Sequence, residues 1–326
     1  MKLSDRDTAI LAKLSPDGVG SVETFASADK QRSHAAAHEL THLIDRQCIT
    51  QSCFIDVGAL GFRSYIAYFS FQPALRSDID AALNAVARHP YVSWLGELSG
   101  SFQYACTVCA KDISQALLIY GSLTNTMKLP WHRKAFVERY LLTTWPLKSG
   151  AEQTHPHAIV YPPPSIQVSI SELDHKVLSL KAVSPELPHA EIAQRLSLTE
   201  IEVGQRMQEL QRARVITGCC YAVNTNRLGI AHTEISLTLN RIDAALIDML
   251  VNFGREHPCC RSVAGCLGTW DFQFTVLTTN TDDQHRFTSE LWQRFGHHIE
   301  SLHVTTHAQE IRSNPYPFPN LDAVLA

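Results

Sequence analysis

The sequence predicts an α+β fold in which a three-helix unit followed by a βαββαβ unit occurs twice. Three observations predict it. First, the 326 residues align on themselves: Leu3–Asp7 falls on Ile170–Asp174 and Ile49-Thr50 on Ile216-Thr217, both at an offset of 167. After one inserted residue, at offset 168, Leu60-Gly61 falls on Leu228-Gly229, His89-Pro90 on His257-Pro258 and Gly100 on Gly268. A run of matches in order, with one change of register, marks a tandem duplication. Second, the apolar spacing within each copy changes from a helical period to alternating strands and helices. Third, His155-Pro156-His157 and Pro162-Pro163-Pro164 lie between the copies. Successive prolines continue neither a helix nor a central strand.

The elements follow in order. In copy 1, helices carry Ile10, Leu11 and Leu14, then Phe25 and Ala26, then Leu40, Leu43 and Ile44. Next come a strand Tyr65–Phe71, a helix Asp78–Ala87, strands Tyr91–Leu98 and Gln103–Ala110, a helix Ile113–Met127 and a strand Ala135–Thr144. In copy 2, Ser171 caps a helix carrying Leu173, Val177 and Leu178, and a second helix spans His189–Leu196. Thr199 caps a third helix, with Val203, Met207 and Leu210 on one face. Val215-Ile216 begins short extended segments suited to a wing. Strands and helices then alternate over 230–239, 242–253, 259–266, 270–278, 282–296 and 299–310.

Three helices with a tight turn before the third form a helix-turn-helix, whose third helix commonly enters the DNA major groove. The order βαββαβ is the ferredoxin-like arrangement, one antiparallel sheet with helices on one face. The bare face needs a partner, so the two copies are expected to pair within one chain as a pseudo-dimer. The expected units are winged helix-turn-helix 1 (1–57), βαββαβ domain 1 (58–148), a Pro-rich linker (149–169), winged helix-turn-helix 2 (170–226) and βαββαβ domain 2 (227–326).

Composition narrows the class. A 45% hydrophobic content excludes wholesale disorder. No apolar run reaches the length of a membrane span, and the opening MKLSDRDTAI has no signal-peptide core, which implies a cytoplasmic protein. Nine cysteines, an odd count without a secretory signal, read as reduced thiols. Cys106-Thr-Val-Cys109 falls on an expected strand, which puts its thiols on opposite faces and argues against redox or zinc use.

The order of motifs resembles the Lrp/AsnC family of transcription regulators, with a winged helix-turn-helix followed by a RAM-type effector domain. The residues that carry the resemblance are Asp174-His-Lys-Val-Leu, Glu191-Ile-Ala-Gln-Arg-Leu-Ser-Leu-Thr, Val203-Gly-Gln-Arg-Met-Gln-Glu-Leu, Leu228-Gly229 and Gly268-Thr-Trp-Asp-Phe. The resemblance implies binding of double-stranded DNA, control by a small effector such as an amino acid, homo-oligomerisation, and no cofactor, metal or catalytic residue. By position it implies DNA contacts from Lys30, Arg32, Ser33, His34 and His38 in copy 1, and from Thr199 and Arg206 in copy 2. It places the effector at Leu98, Ser99, Gly100, Ser101 and Phe102 and at Leu267, Gly268, Thr269, Trp270 and Asp271. Asp271 falls on the family's acidic position, where it would hold an amino group; copy 1 has Gln103 there. The charge works against DNA binding: residues 1–57 carry six Lys/Arg against eight Asp/Glu, and residues 170–226 six against seven.

Two enzyme classes compete with the regulator. His38-Glu39-Leu40-Thr41-His42 is a HExxH sequence, the pattern of zinc peptidases. It aligns with Gln205–Glu209, where no metal chemistry is possible, and Leu40 and Leu43 take core positions. The second class is the sirohaem decarboxylases, which resemble Lrp/AsnC proteins and occur as fused two-copy chains. Their histidines bind substrate propionates and assist decarboxylation. His257-Pro-Cys-Cys-Arg261 and His89-Pro-Tyr-Val-Ser stand where that family has His-Asn-Tyr-x-Arg. The regulator is the favoured expectation and the decarboxylase the alternative.

Overall fold

The computed structural model describes His38, residues 41–145, Lys148, residues 159–161 and residues 167–325. Most of the first expected helix-turn-helix lies outside them, as do Lys30, Arg32, Ser33, His34, Glu39 and the prolines at 162–164.

Two successive β-α-β-β-α-β runs dominate the chain. The first has β2 (Arg63–Phe71), α1 (Arg76–Arg88), β3 (Val92–Gly100), β4 (Tyr104–Ala110), α2 (Ile113–Met127) and β5 (Trp131–Thr144). The second has β8 (Ala231–Leu239), a helix Ala244–Glu256, β9 (Cys260–Gly268), β10 (Phe272–Thr278), a helix Thr281–Phe295 and β11 (Ile299–Ser313). Residues alternate across each strand because side chains in a strand have period 2. On β2, Tyr65, Ala67, Phe69 and Phe71 pack against Leu83 and Val86 of α1 and Ile119 and Leu123 of α2. On β8, Ile235, Leu237 and Leu239 pack against Leu250, Phe253, Phe287 and Leu291. Both sheets thus carry helices on one face.

The other faces meet. The strand order is β2-β4-β3-β11-β8-β10-β9-β5, with β5 also pairing to β2, so the sheet closes on itself as an eight-stranded antiparallel barrel. Strand β6 (Ile159–Tyr161) extends it from β5. Closure removes the edges that two separate four-stranded sheets would expose. The joins are equivalent: Gly100 pairs with Thr305 on the β3–β11 ladder and Gly268 with Val137 on the β9–β5 ladder, each residue 168 positions from its counterpart. Ile66, Tyr68, Phe102, Val137, Ala264 and Trp270 fill one end of the interior.

Three helices precede the second run: α3 (Glu172–Val183), α4 (His189–Leu196) and α5 (Glu200–Arg212). Ser171 and Thr199 each close a capping box, with Asp174 and Glu202 three residues on. Each hydroxyl accepts an orphan backbone N–H of the first turn, and each carboxylate accepts the N-cap N–H. Thr199→Ala is therefore expected to lower stability by about 1 kcal/mol, read as a lower midpoint in urea with an unchanged slope. Val177, Ile192, Val203, Met207 and Leu210 form the core of this unit.

Two features depart from the expected plan. Strand β1 (Ile49–Ile55) pairs with β7 (Ile216–Val223), so the extended segments expected as wings join each other across the two halves. The tail after β11 turns back onto the helical unit: Tyr316 Oη meets His175 Nδ1 at 3.0 Å, and the Phe318 ring lies 4.3 Å from that of Phe62. Among the described residues no helix is long and apolar enough to cross a membrane.

Candidate functional site

Of the seven expected DNA-facing residues, His38, Thr199 and Arg206 are described. Thr199 Oγ1 donates to Glu202 Oε2 at 2.8 Å, inside its own cap. Arg206 Nη1 bonds Glu209 Oε2 at 3.1 Å and lies 3.9 Å from Asp174 Oδ1. His38 is exposed and helical, as is His42.

The ten expected effector residues lie at or beside the two ladders that join the halves. Leu98, Phe102 and Trp270 are buried within the barrel, while Ser99, Leu267 and Thr269 are exposed. Ser101 O accepts from Arg133 Nη1 at 3.0 Å. Thr269 N donates to Phe136 O at 3.0 Å. Asp271 Oδ2 accepts the Leu239 N–H at 2.8 Å, so this oxygen braces a loop. Gly100 and Gly268 have φ of +121° and +142°, and a Cβ would stand 2.8 Å from Val304 O and 2.2 Å from Phe136 O. These glycines permit the close crossing of one half's strand over the other. None of the ten lines the cavity described next.

That cavity, of about 480 Å³, runs from the barrel interior towards β1. Such a volume lies within the ~300–1,000 Å³ common for small-molecule sites. Its polar groups come from both halves. His232 and Glu234 alternate with core residues on β8, so they point inward. His307 on β11 stacks on His232, with ring centres 4.0 Å apart and planes 5° apart, and its Nε2 lies 3.3 Å from Glu234 Oε1. Tyr68 Oη donates to Glu234 Oε2 at 2.9 Å and accepts from Gln273 Nε2 at 3.0 Å. Trp94 leans on His307 and donates its indole N–H to Glu310 at 3.0 Å. Arg63, Arg139 and Arg261 also line the wall. Arg63 bonds Glu138 at 2.6 Å, and Arg139 Nε is buried with no hydrogen-bond partner among the described residues.

Burial and neighbours set the charges here. Burial, with His307 beside it, holds His232 down at about 3, so the ring is neutral at pH 7. Burial alone would raise the Glu234 carboxyl, but His307, Arg139 and His232 outweigh it and hold the group at about 2. Burial raises Tyr68, and the Glu234 charge raises it further. A neutral buried histidine has a stability consequence. An unfolded chain protonates this ring near 6.5, whereas the folded chain resists until about 3. The stability is therefore full above 6.5 and is lost as pH falls through that window. We expect urea midpoints to fall from about pH 7 to about pH 4, and His232→Phe to shrink that fall.

Two thiols, of Cys53 and Cys109, also line the cavity. Cys106 and Cys109 are buried on opposite faces of β4, and burial pushes both up to about 12. Of the stretch His257–Arg261, only Arg261 reaches the cavity. His257 is buried against Phe253 and Phe287.

No family model matches this sequence, and no curated protein matches it. Solved structures share its fold over the full length. The siroheme decarboxylase NirDL is 12% identical and aligns over 99% of this chain and 96% of its own, with a TM-score of 0.60. The same enzyme in complex with an iron-uroporphyrin III analogue gives 0.59, again at 12% identity, over 99% and 97%. Shorter proteins of the Lrp/AsnC type align over less than half of this chain. One is a transcriptional regulator from Neisseria meningitidis in complex with L-Met, at 16% identity over 46% of this chain and 97% of its own, TM-score 0.40. The likeness concerns the fold.

Proposed function

We propose that this chain binds a tetrapyrrole polycarboxylate in the barrel cavity and removes carboxyl groups from it as CO2, as a decarboxylase of the sirohaem type. The observation that carries the reading is the inward-facing set His232, Glu234, His307, Arg139 and Arg261 in one cavity. Arginines hold carboxylates through charge-assisted hydrogen bonds, and a histidine pair handles the proton that decarboxylation consumes. In the reaction the bond between carbon and carboxylate breaks, CO2 departs, and the electron pair stays on the carbon, spread into the substrate's own ring system. A proton from solvent, passed through the His307 ring that lies 3.3 Å from Glu234, then reaches that carbon and completes the new C–H bond. His232 is neutral at pH 7, and an entering carboxylate raises its proton affinity. The neutral ring offers a ring N–H to a substrate carboxylate.

This reading goes with the two-copy plan: a winged helix-turn-helix and a ferredoxin-like domain at 1–57 and 58–148, a linker at 149–169, and the same pair at 170–226 and 227–326. The paired registers 168 residues apart support it, with the two sheets acting as an intrachain pseudo-dimer. A cytoplasmic location fits the substrate class. A second reading, a DNA-binding regulator with an amino-acid effector at the glycine loops, is favoured by the capped helices α3–α5. It is disfavoured by Arg206 lying between two carboxylates. Under it, a promoter fragment would be bound at low salt and released by Arg206→Ala.

The test of the enzyme reading is anaerobic incubation of the purified full chain with sirohaem, followed by mass analysis of the pigment. Loss of one or more CO2 is expected. An unchanged mass, with intact folded protein, overturns the reading.

A further inference from the structure

The cavity straddles the relation that joins the two halves, yet its two sides differ. The ladders β2–β4 and β8–β10 keep the same register as well, since Phe69 faces Tyr104 and Leu237 faces Phe272. Lining positions on these ladders therefore have counterparts 168 residues away. His232 corresponds to Ser64, Glu234 to Ile66 and Arg261 to Ser93, and all six line the wall. In a symmetric dimer an isologous contact repeats each group on both sides. Here the second half supplies the imidazole, the guanidinium and the buried carboxylate, while the first half supplies two hydroxyls and an alkyl group. Only Arg139 and His307, also counterparts, are both basic, and both act on Glu234.

We infer that the cavity is one asymmetric site, which takes a single polycarboxylate per chain with the reacting carboxylate on the His232–Arg261 side. The inference rests on the ligand class proposed above. A carboxylate on the opposite side would face Ser64, Ser93 and the Arg139 guanidinium across the ladder from Ser64, an anchor with no imidazole beside it to pass on a proton. Glu234 repels a carboxylate set deeper on the reacting side and so limits how far the ligand edge enters. The consequence is positional selectivity: one carboxylate reacts per binding event, and the ligand must turn or rebind before another does. The volume of about 480 Å³ admits part of one macrocycle and not a second.

The test is titration of the full chain with iron uroporphyrin III, followed by its visible absorption. The expected result is one equivalent per chain. His232→Ala and Arg261→Ala should each weaken binding roughly 10- to 100-fold, and Ser64→Ala and Ser93→Ala less than about twofold. The octamethyl ester of the same macrocycle, which has no carboxylates, should not compete. Thermal melting of each variant separates a lost contact from a lost fold, and Arg261→Lys should recover part of the affinity if charge is what matters. Two equivalents per chain, equal losses across the counterpart pairs, or competition by the ester would overturn the inference. One-to-one binding with these unequal losses but no CO2 release would leave it standing and remove the decarboxylase reading. Turnover with two equivalents bound would do the reverse.

Discussion

Alanine at His307 is expected to slow carboxyl loss about 100- to 1,000-fold, the usual contribution of a positioned proton donor. The imidazole makes three relevant contacts: Glu234 at 3.3 Å, the stacked His232 ring and the Trp94 face. Removing it takes away the proton donor and the first of the charges that hold Glu234 ionised. The kinetic signature follows from that assignment. The maximal rate should fall far more than substrate affinity, because carboxylate binding is given to His232 and the arginines. Glu234→Gln should lower the maximal rate as well, because it removes the carboxylate 3.3 Å from the His307 ring that orients it. Comparable losses in affinity and rate at His307 would instead place it in binding.

Alanine at Gly268 is expected to destabilise the fold by about 3 kcal/mol or more, through strain and a backbone clash together. Its φ of +142° is a region that side chains rarely adopt, and the added Cβ would stand 2.2 Å from Phe136 O. That oxygen accepts the Thr269 N–H across the join, so it cannot withdraw without loosening the β9–β5 ladder. Gly229 supplies the control. It has φ +66° but nothing within 4 Å of an added Cβ, so Gly229→Ala should cost about 1 kcal/mol. Chemical denaturation of the two variants should show this order. Equal, small losses would mean that the close crossing at Gly268 is not what the glycine is for.

Much of the fold was legible because it is written locally. Ile113–Met127 and His189–Leu196 have the bounds their apolar spacing predicts. Ser171 and Thr199 are the caps their side chains suggest. Neighbouring elements shifted by only a few residues, as where β5 begins at Trp131 rather than Ala135. The long-range pairings were not legible: nothing in 49–55 or 216–223 announces that they join each other. The cavity escaped for the same reason, since Tyr68, Arg139, His232 and His307 are far apart in sequence. A signal was nevertheless present. His232, Glu234 and Ser236 alternate with Thr233, Ile235 and Leu237 on β8, a pattern that ordinarily marks a solvent face. That face of each sheet lacks helices and so needs a partner. With the two bare faces joined, a histidine and a glutamate lie inside a closed barrel. The glycines at 100 and 268 stand out in the sequence because of the close crossing of strands at the joins.

The central claim is that a polycarboxylate is held inside the barrel by its basic residues. Equilibrium titration with sirohaem under anaerobic conditions, on the full chain and on Arg139→Ala, tests it most directly. The account predicts saturable binding in the full chain, weakened about tenfold or more by a substitution that removes a guanidinium from the cavity wall. Equal affinity in the two proteins, or no saturable binding at all, would contradict it.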